Sequence, residues 1–350
     1  MLIIGQKSLL IELKTMNIKF GIIGCGNIGL RHAKHIYEHK EGTLANIYDL
    51  NFSRSSVISK EYSCRASEKF DDFLSSDLDI VNICTPNGLH AEHAIKCMNA
   101  GKHVLVEKPM ALSSADCEKM IHTSLRTNKQ LFVVKQNRHN PPVVALKEKI
   151  DNNQLGRIYS VIINCFWNRN ENYYKSSSWK GSKDLDGGTL FTQFSHFIDI
   201  LYYLFGDIKE VFGQIKNVSH DGLIEFEDTG FFNFQLENNS LGSLNYTTSA
   251  YKKNMEGSIL VFAENATIKI GGQYLNTVEY QSLKGDKIIL NNKSNKANDY
   301  GSYQGSMSNH DLVINNVINT LNGRESIMTN ALEGMKVVNI IERMYASTKA

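Results

Sequence analysis

An imidazole titrates near neutrality and can take a proton from a hydroxyl, while a lysine ammonium can hold the oxygen as charge develops on it. One of each stands in a marked place in this chain: Lys108 in "VLVEKPMAL" and His196 in "DGGTLFTQFSHFIDILYYLFG". The second stretch reads as one long helix over Thr189–Leu204, entered through Gly187 and Gly188. Its apolar face is Phe191, Phe194, Ile198, Leu201 and Phe205, and a second stripe beside it carries Thr192, His196, Asp199 and Tyr203. A lone histidine on so apolar a helix is more often a hydrogen-bonded core residue than a base. Its meaning depends on what the rest of the chain brings to it.

The element that could supply an oxidant is legible near the start. A β-branched strand around Ile18–Ile23 runs through Gly24-Cys25-Gly26-Asn27-Ile28-Gly29 into an amphipathic helix. Strand before and helix after are the context that gives G-x-G-x-x-G its meaning as a dinucleotide site. Gly24 permits the turn, Gly26 lets the backbone approach a pyrophosphate, and Gly29 lets helix pack on strand. The free N–H groups at the helix start then face the phosphates. A second strand, Leu44–Tyr48, ends at Asp49, where a carboxylate hydrogen-bonds ribose hydroxyls and repels the extra phosphate of NADP. Arg54 softens that preference, so NAD is expected ahead of NADP.

Strands at Asp79–Cys84, His103–Glu107 and Leu131–Gln136 alternate with helices, one of them starting at Ser113 as N-cap. The pattern predicts a doubly wound parallel sheet whose ligands bind at the carboxyl ends of the strands. Three segments then enter the cofactor cleft: Thr85-Pro86-Asn87, Glu107-Lys108-Pro109 and Gln136-Asn137-Arg138. His90 and His93 have the spacing of a metal pair, but no third ligand stands nearby, and no metal site is expected.

From Arg157 the pattern changes to β-rich segments with Gly/Asn turns, which predicts a second, α+β domain built on a mainly antiparallel, open-faced sheet. The expected division is an extension over 1–15, a Rossmann domain over 16–140, and a substrate and oligomerisation domain over 141–350 whose last helices pack back on the first. Residues 283–305 read as a polar excursion outside the core. The 350-residue chain has a formal net charge of +2, which argues against a nucleic-acid partner. Its apolar runs are too short to span a bilayer. The six cysteines form no C-x-x-C pair, so neither a disulfide framework nor a zinc site is implied, and a reducing cytoplasm fits.

Taken together, Gly24 to His32, Thr85-Pro86 with His90, Glu107-Lys108-Pro109, and the Gly187-Gly188 … His196 … Asp199 helix resemble the glucose–fructose oxidoreductase / inositol dehydrogenase / MocA family of NAD(P)-dependent sugar dehydrogenases. Within it, "FEDTGFFNF", "GSLNYTTSAYKKNMEGSILVFAENATIKIGG" and "LNTVEY" look most like the UDP-N-acetylglucosaminuronate 3-dehydrogenases of surface-polysaccharide biosynthesis. The resemblance implies a sheet-mediated homodimer or homotetramer, and cofactor contacts from Thr85, Pro86, Asn87, His90, Glu107, Lys108 and Gln136. The family's catalytic lysine falls on Lys108 and its histidine on His196. Many members carry an aspartate four residues before that histidine; Thr192 stands there in this chain, as an auxiliary residue that could orient the ring or the substrate hydroxyl.

A nucleotide-linked sugar acid brings a pyrophosphate and a carboxylate, which need cations. Arg138, Arg169, Lys175 and Lys180 are the candidates, with Trp167, Tyr173 and Trp179 for ring contacts. The expected activity is oxidation of the C3 hydroxyl of such a sugar, with NADH either released or reoxidised in place by a 2-oxo acid. The alternatives are a dehydrogenase of a free polyol or sugar such as an inositol, an NAD-retaining glycosidase, and a cofactor-sensing regulator that would need neither Lys108 nor His196.

Overall fold

The computed structural model describes residues 16–290, 295–301 and 303–348; the extension expected over 1–15 lies outside them. Six short strands form the first sheet: β1 (Ile18–Ile23), β2 (Gly42–Tyr48), β3 (Arg65–Ser67), β4 (Ile80–Ile83), β5 (His103–Val106) and β6 (Leu131–Val133). They are parallel and ordered β3-β2-β1-β4-β5-β6, so strand order reverses between β1 and β4. That switch point is where ligands enter such a sheet. The crossovers are α1 (Asn27–Glu38), α2 (Phe52–Glu61), α3 (Phe70–Leu74), α4 (His90–Asn99) and α5 (Ser114–Thr127). Ser113 caps α5 by accepting from the Asp116 N–H. All four residues of β4 are buried, as a sheet covered on both faces requires.

After α6 (Pro141–Asp151) comes a seven-stranded sheet of β7 (Ile158–Phe166), β8 (Ile208–Lys216), β9 (Thr229–Leu236), β10 (Leu241–Thr247), β11 (Glu256–Ala263), β12 (Ala266–Gly271) and β13 (Thr277–Leu283). Its order is β13-β12-β11-β7-β10-β9-β8, with only the central β7–β10 pair parallel. The strands alternate: Phe232, Phe234 and Leu236 of β9 point inward, whereas Phe231 points to solvent. Between β7 and β8 lie α7 (Glu171–Lys175) and α8 (Ser195–Phe205), and α8 covers the inner face. The Phe194 ring, just before α8, meets Tyr246 of β10 at 5.2 Å, and Phe197 meets Trp167 at 5.6 Å. Each phenylalanine so buried contributes about 1.5–3 kcal/mol.

One expectation is corrected here. The helix over Thr189–Leu204 is not uniform: Leu190–Phe194 forms a wide π turn before α8 begins at Ser195. Apolar periodicity cannot distinguish the two, because a single π turn shifts the stripe by only one residue.

The 283–305 stretch is likewise more than an excursion. It carries a small hairpin, β14 (Ala297–Asp299) and β15 (Gln304–Met307), that reaches back to the first sheet. The chain closes with α9 (His310–Leu321), packed on α1, and α10 (Ala331–Ser347), packed between α5 and α8.

Candidate active site

The turn after β1 has the shape a dinucleotide needs. Gly24 sits at φ +94°, and a Cβ there would lie 2.6 Å from the Cys84 carbonyl oxygen; one at Gly29 would lie 1.9 Å from the carbonyl oxygen of Gly24. A Cβ at Gly26 would meet nothing within 4 Å. The loop is thus tight on its protein side and open where a pyrophosphate would approach, beside Asn27 and Ile28 at the start of α1. Asp49, at the end of β2, accepts from the Cys25 N–H at 2.7 Å and the Asn51 N–H at 2.8 Å, which sets its carboxylate against the glycine loop.

β5 delivers Glu107 and Lys108 at its carboxyl end. Glu107 is buried. His32 Nε2 donates to it at 2.8 Å, while His32 Nδ1 accepts from Asn82 at 2.8 Å. His310 Nε2 lies 3.4 Å away on the same carboxylate oxygen. Burial alone would raise this carboxyl's pKa, but the two histidines more than reverse it and hold it well below the usual range. His32, Glu107 and His310 bring three ligand-capable atoms within 4.8 Å of one another, a donor set that suits a divalent cation. Here His32 already bonds both Glu107 and the Asn82 amide, and the set serves to keep an ionised carboxylate beside Lys108.

Lys108 Nζ donates to the Thr192 carbonyl at 2.8 Å. Burial pulls the ammonium down to about 8, with Glu107 and Asp186 opposing and Lys135 and Arg169 adding to the fall. His196 is buried, and its Nε2 lies 3.4 Å from Ser306 Oγ of β15, which in turn accepts from Gln136 Nε2 at 2.9 Å. Burial first, then the charges of Lys108 and Lys135, hold its imidazole well below 6.5. The pair is therefore a neutral imidazole able to accept a proton and a cation whose charge is present at neutrality.

Thr192 does not orient His196. Its hydroxyl donates to the Asp186 carboxylate and accepts from Asn87 Nδ2 at 2.8 Å. Asp186 also accepts from the Gly181 N–H at 2.7 Å, and burial lifts its pKa to about 6. A buried carboxylate thus reaches the turn before the histidine from the entry loop. The glycine pair makes this entry possible, since a Cβ at Gly188 would lie 2.4 Å from the Tyr345 hydroxyl, which accepts the Leu190 N–H.

The other expected residues separate. Arg138 is not offered to a substrate: Nε and Nη2 grip Asp199 at 3.0 and 2.7 Å, Nη1 grips Glu333 at 2.6 Å, and its face covers Tyr203. Lys175 is exposed and paired with Glu171 on α7. Asn87, expected at the cofactor, reaches across to the Asp186 carbonyl at 2.9 Å. His90 sets its ring nitrogens against the carbonyls of Pro109 and Thr85 at 2.7 and 2.9 Å, tying together the two loops that carry Lys108 and Pro86. Trp179 is half-buried, and Arg169 is buried against Trp167, Tyr173 and Tyr303.

Sequence reasoning missed Asp186, Ser306, Tyr300 and Tyr303. The last two lie at the tip of the β14–β15 hairpin, where Tyr300 covers Arg31 and the Tyr303 phenol feels the Asn27 side chain of the glycine loop, which opposes the rise that burial gives its pKa. The two tyrosines in "NDYGSYQG" were the available signal, masked by the polar residues around them.

The profile of an oxidoreductase family's NAD-binding Rossmann fold matches residues 18–135, and that of the same family's C-terminal alpha/beta domain matches 147–350. The chain belongs to the glucose–fructose oxidoreductase / inositol dehydrogenase / MocA family. It is an NAD-dependent oxidoreductase with sugar dehydrogenases among its homologues. Within the family, the WlbA dehydrogenase of Chromobacterium violaceum, solved in complex with NADH and UDP-GlcNAcA, is 32% identical, with a TM-score of 0.87 over 96% of this chain and 95% of that one. The Bordetella pertussis WlbA dehydrogenase, in complex with the same two molecules, is 31% identical, with a TM-score of 0.86 over 95% and 97%. Among curated members, the glucose-6-phosphate 3-dehydrogenase of Bacillus subtilis is 28% identical over 61% of this chain and 70% of its own length. Among the described residues no helix is long and apolar enough to cross a membrane.

Proposed function

We propose that the enzyme oxidises the C3 hydroxyl of a nucleotide-linked sugar acid, of the UDP-N-acetylglucosaminuronate type, to the 3-keto sugar. The observation that carries this reading is the meeting of Lys108, from the end of β5, with the turn that leads into His196. The WlbA structures, which hold NADH and UDP-GlcNAcA, support the choice of substrate.

NAD supplies the acceptor for the hydride that leaves C3. His196 takes the hydroxyl proton on its unprotonated ring nitrogen, so the alcohol loses one hydride and one proton in all. Lys108 holds the oxygen as its C–O bond becomes a carbonyl. Ser306 and Gln136 fix the imidazole edge, and Asp186 with Thr192 sets the turn from which the Thr192 carbonyl restrains Lys108. The product supplies an aminotransferase in an envelope-glycan pathway, and the reaction takes place in the cytoplasm. Phe212, Phe231 and Leu241, exposed on the outer sheet face, support assembly into a homodimer or homotetramer.

The test is NADH absorbance, with product analysis, on mixing the protein, NAD and UDP-N-acetylglucosaminuronate, with and without 2-oxoglutarate. Net NADH, or keto-sugar formed only with the 2-oxo acid, is the expected result. Turnover of inositol or free sugars in its place would overturn the reading.

A further inference from the structure

Arg169 is 2% exposed, yet among the described residues no carboxylate lies within ion-pairing distance of it. Its Nε donates to Gln193 Oε1 at 2.7 Å, and Nη1 donates to the Asn168 carbonyl at 2.7 Å and to Asn254 Oδ1 at 3.2 Å. All of these acceptors are neutral. Nη2, with two N–H donors, makes no hydrogen bond among the described residues. The guanidinium carbon stands 5.0, 5.2 and 5.3 Å from the ring centres of Trp167, Tyr173 and Tyr303. Three π faces make a cation tolerable, but they supply no opposite charge.

Lys180 belongs to the same box. Its Nζ lies 4.1 Å from the Tyr173 ring centre and 5.2 Å from that of Tyr303. Its partner is the Ser176 hydroxyl at 3.1 Å, again neutral. Arg138, by contrast, is neutralised by two carboxylates and Lys175 by one. The nearby carboxylate, Asp186, is already engaged by Gly181 and Thr192. Among the described residues Asp186 is the one carboxylate whose charge acts on both Lys180 and Lys108, so three cations share it, which is costly unless the ligand brings a further anion.

We infer that Arg169 and Lys180 form the subsite for the substrate's carboxylate, and so select sugar acids over neutral sugars of the same nucleotide. The inference rests on the proposed function and adds to it the residues that set substrate class. Lys108 is committed to the reacting oxygen, so the carboxylate of the same sugar ring falls to the guanidinium edge and the Lys180 ammonium. A carboxylate on Nη2 takes charge-assisted hydrogen bonds that neither cation has in the free protein. Tyr303 roofs the box, its ring centre 5.3 Å from the Arg169 guanidinium carbon.

The chain's two tryptophans report on the subsite directly, one against Arg169 and the other next to Lys180 in sequence. The experiment is a fluorescence titration of the NAD-saturated protein with UDP-glucuronate and with UDP-glucose, which differ only at C6, a carboxylate in one and a hydroxymethyl in the other. Wild type binds the acid more tightly by about tenfold or more, and Lys180→Gln narrows the preference to about threefold or less. Arg169→Lys, which keeps the charge and loses the fork, also narrows it. Equal binding of the two ligands by wild type, or equal weakening of both in Lys180→Gln as a pyrophosphate contact would give, overturns the inference. If neither nucleotide sugar binds wild type, the proposed substrate class fails, and free glucuronate against glucose decides the subsite. A response to glucuronate alone sustains it, and no response overturns it.

Discussion

The Lys108 ammonium is held by the main-chain carbonyl of Thr192, at 2.8 Å, across the gap between the two sheets. A side chain from the first sheet is thereby positioned by backbone from the second, and the wide turn at Leu190–Phe194 is what presents that carbonyl. A regular helix would direct it along the helix axis into its own ladder.

Replacing Lys108 with methionine removes the cation while keeping most of the side chain's bulk. The turnover rate should fall by about 100-fold or more, since one charged donor at a developing oxyanion contributes that much. NAD affinity, measured by fluorescence, should change little. A loss confined to KM would show that Lys108 binds substrate without acting on the reacting oxygen.

His196→Asn should lower the rate by about 100- to 10,000-fold through loss of the proton acceptor. The pH profile of kcat/KM for alcohol oxidation then follows from the two shifted groups. His196 is held well below 6.5, so its base form is complete by neutrality and the acid limb lies below that value. Lys108, at about 8, loses its charge above that pH, and the rate falls. Asp186→Asn removes a carboxylate that favours the ammonium and should move the alkaline limb to lower pH. A profile that keeps rising through pH 9 would exclude the lysine's charge from the mechanism.

Two glycines of the cofactor loop should respond differently to alanine. At Gly29 the added methyl would sit 1.9 Å from the Gly24 carbonyl oxygen, so both Tm and NAD affinity should drop. At Gly26 the methyl enters open space on the phosphate side; Tm should hold while NAD affinity falls. Thermal unfolding with and without NAD separates the two effects.

Arg138→Met leaves Asp199 buried, with Lys135 at 3.5 Å as its remaining cation. Breaking a buried pair of this kind costs about 3–5 kcal/mol. Denaturant unfolding should show that loss, while the preference between UDP-glucuronate and UDP-glucose stays as in wild type. A changed preference would return Arg138 to the substrate.

Local sequence determined whatever depends on spacing along the chain. Gly24, Gly26 and Gly29 between a β-branched strand and a helix, Asp49 at the next strand end, and Glu107-Lys108-Pro109 after an apolar strand all read correctly as parts of one parallel sheet, because each obeys a period or a turn rule within a few residues. The β-rich segments with Gly/Asn turns after Arg157 likewise announced a mainly antiparallel sheet, and β9 alternates as such a sheet requires. Spacing could not say which cations had partners. Arg138 meets Asp199 from 61 residues away and Glu333 from 195, whereas Arg169 meets aromatic rings and neutral acceptors. Nor could it show Asp186 standing at Thr192, or a polar hairpin carrying Ser306 to His196 and Tyr303 to Arg169. Those are long-range pairings fixed by how the two sheets and the terminal helices pack, and burial in that packing, not residue type, sets which groups keep their charge.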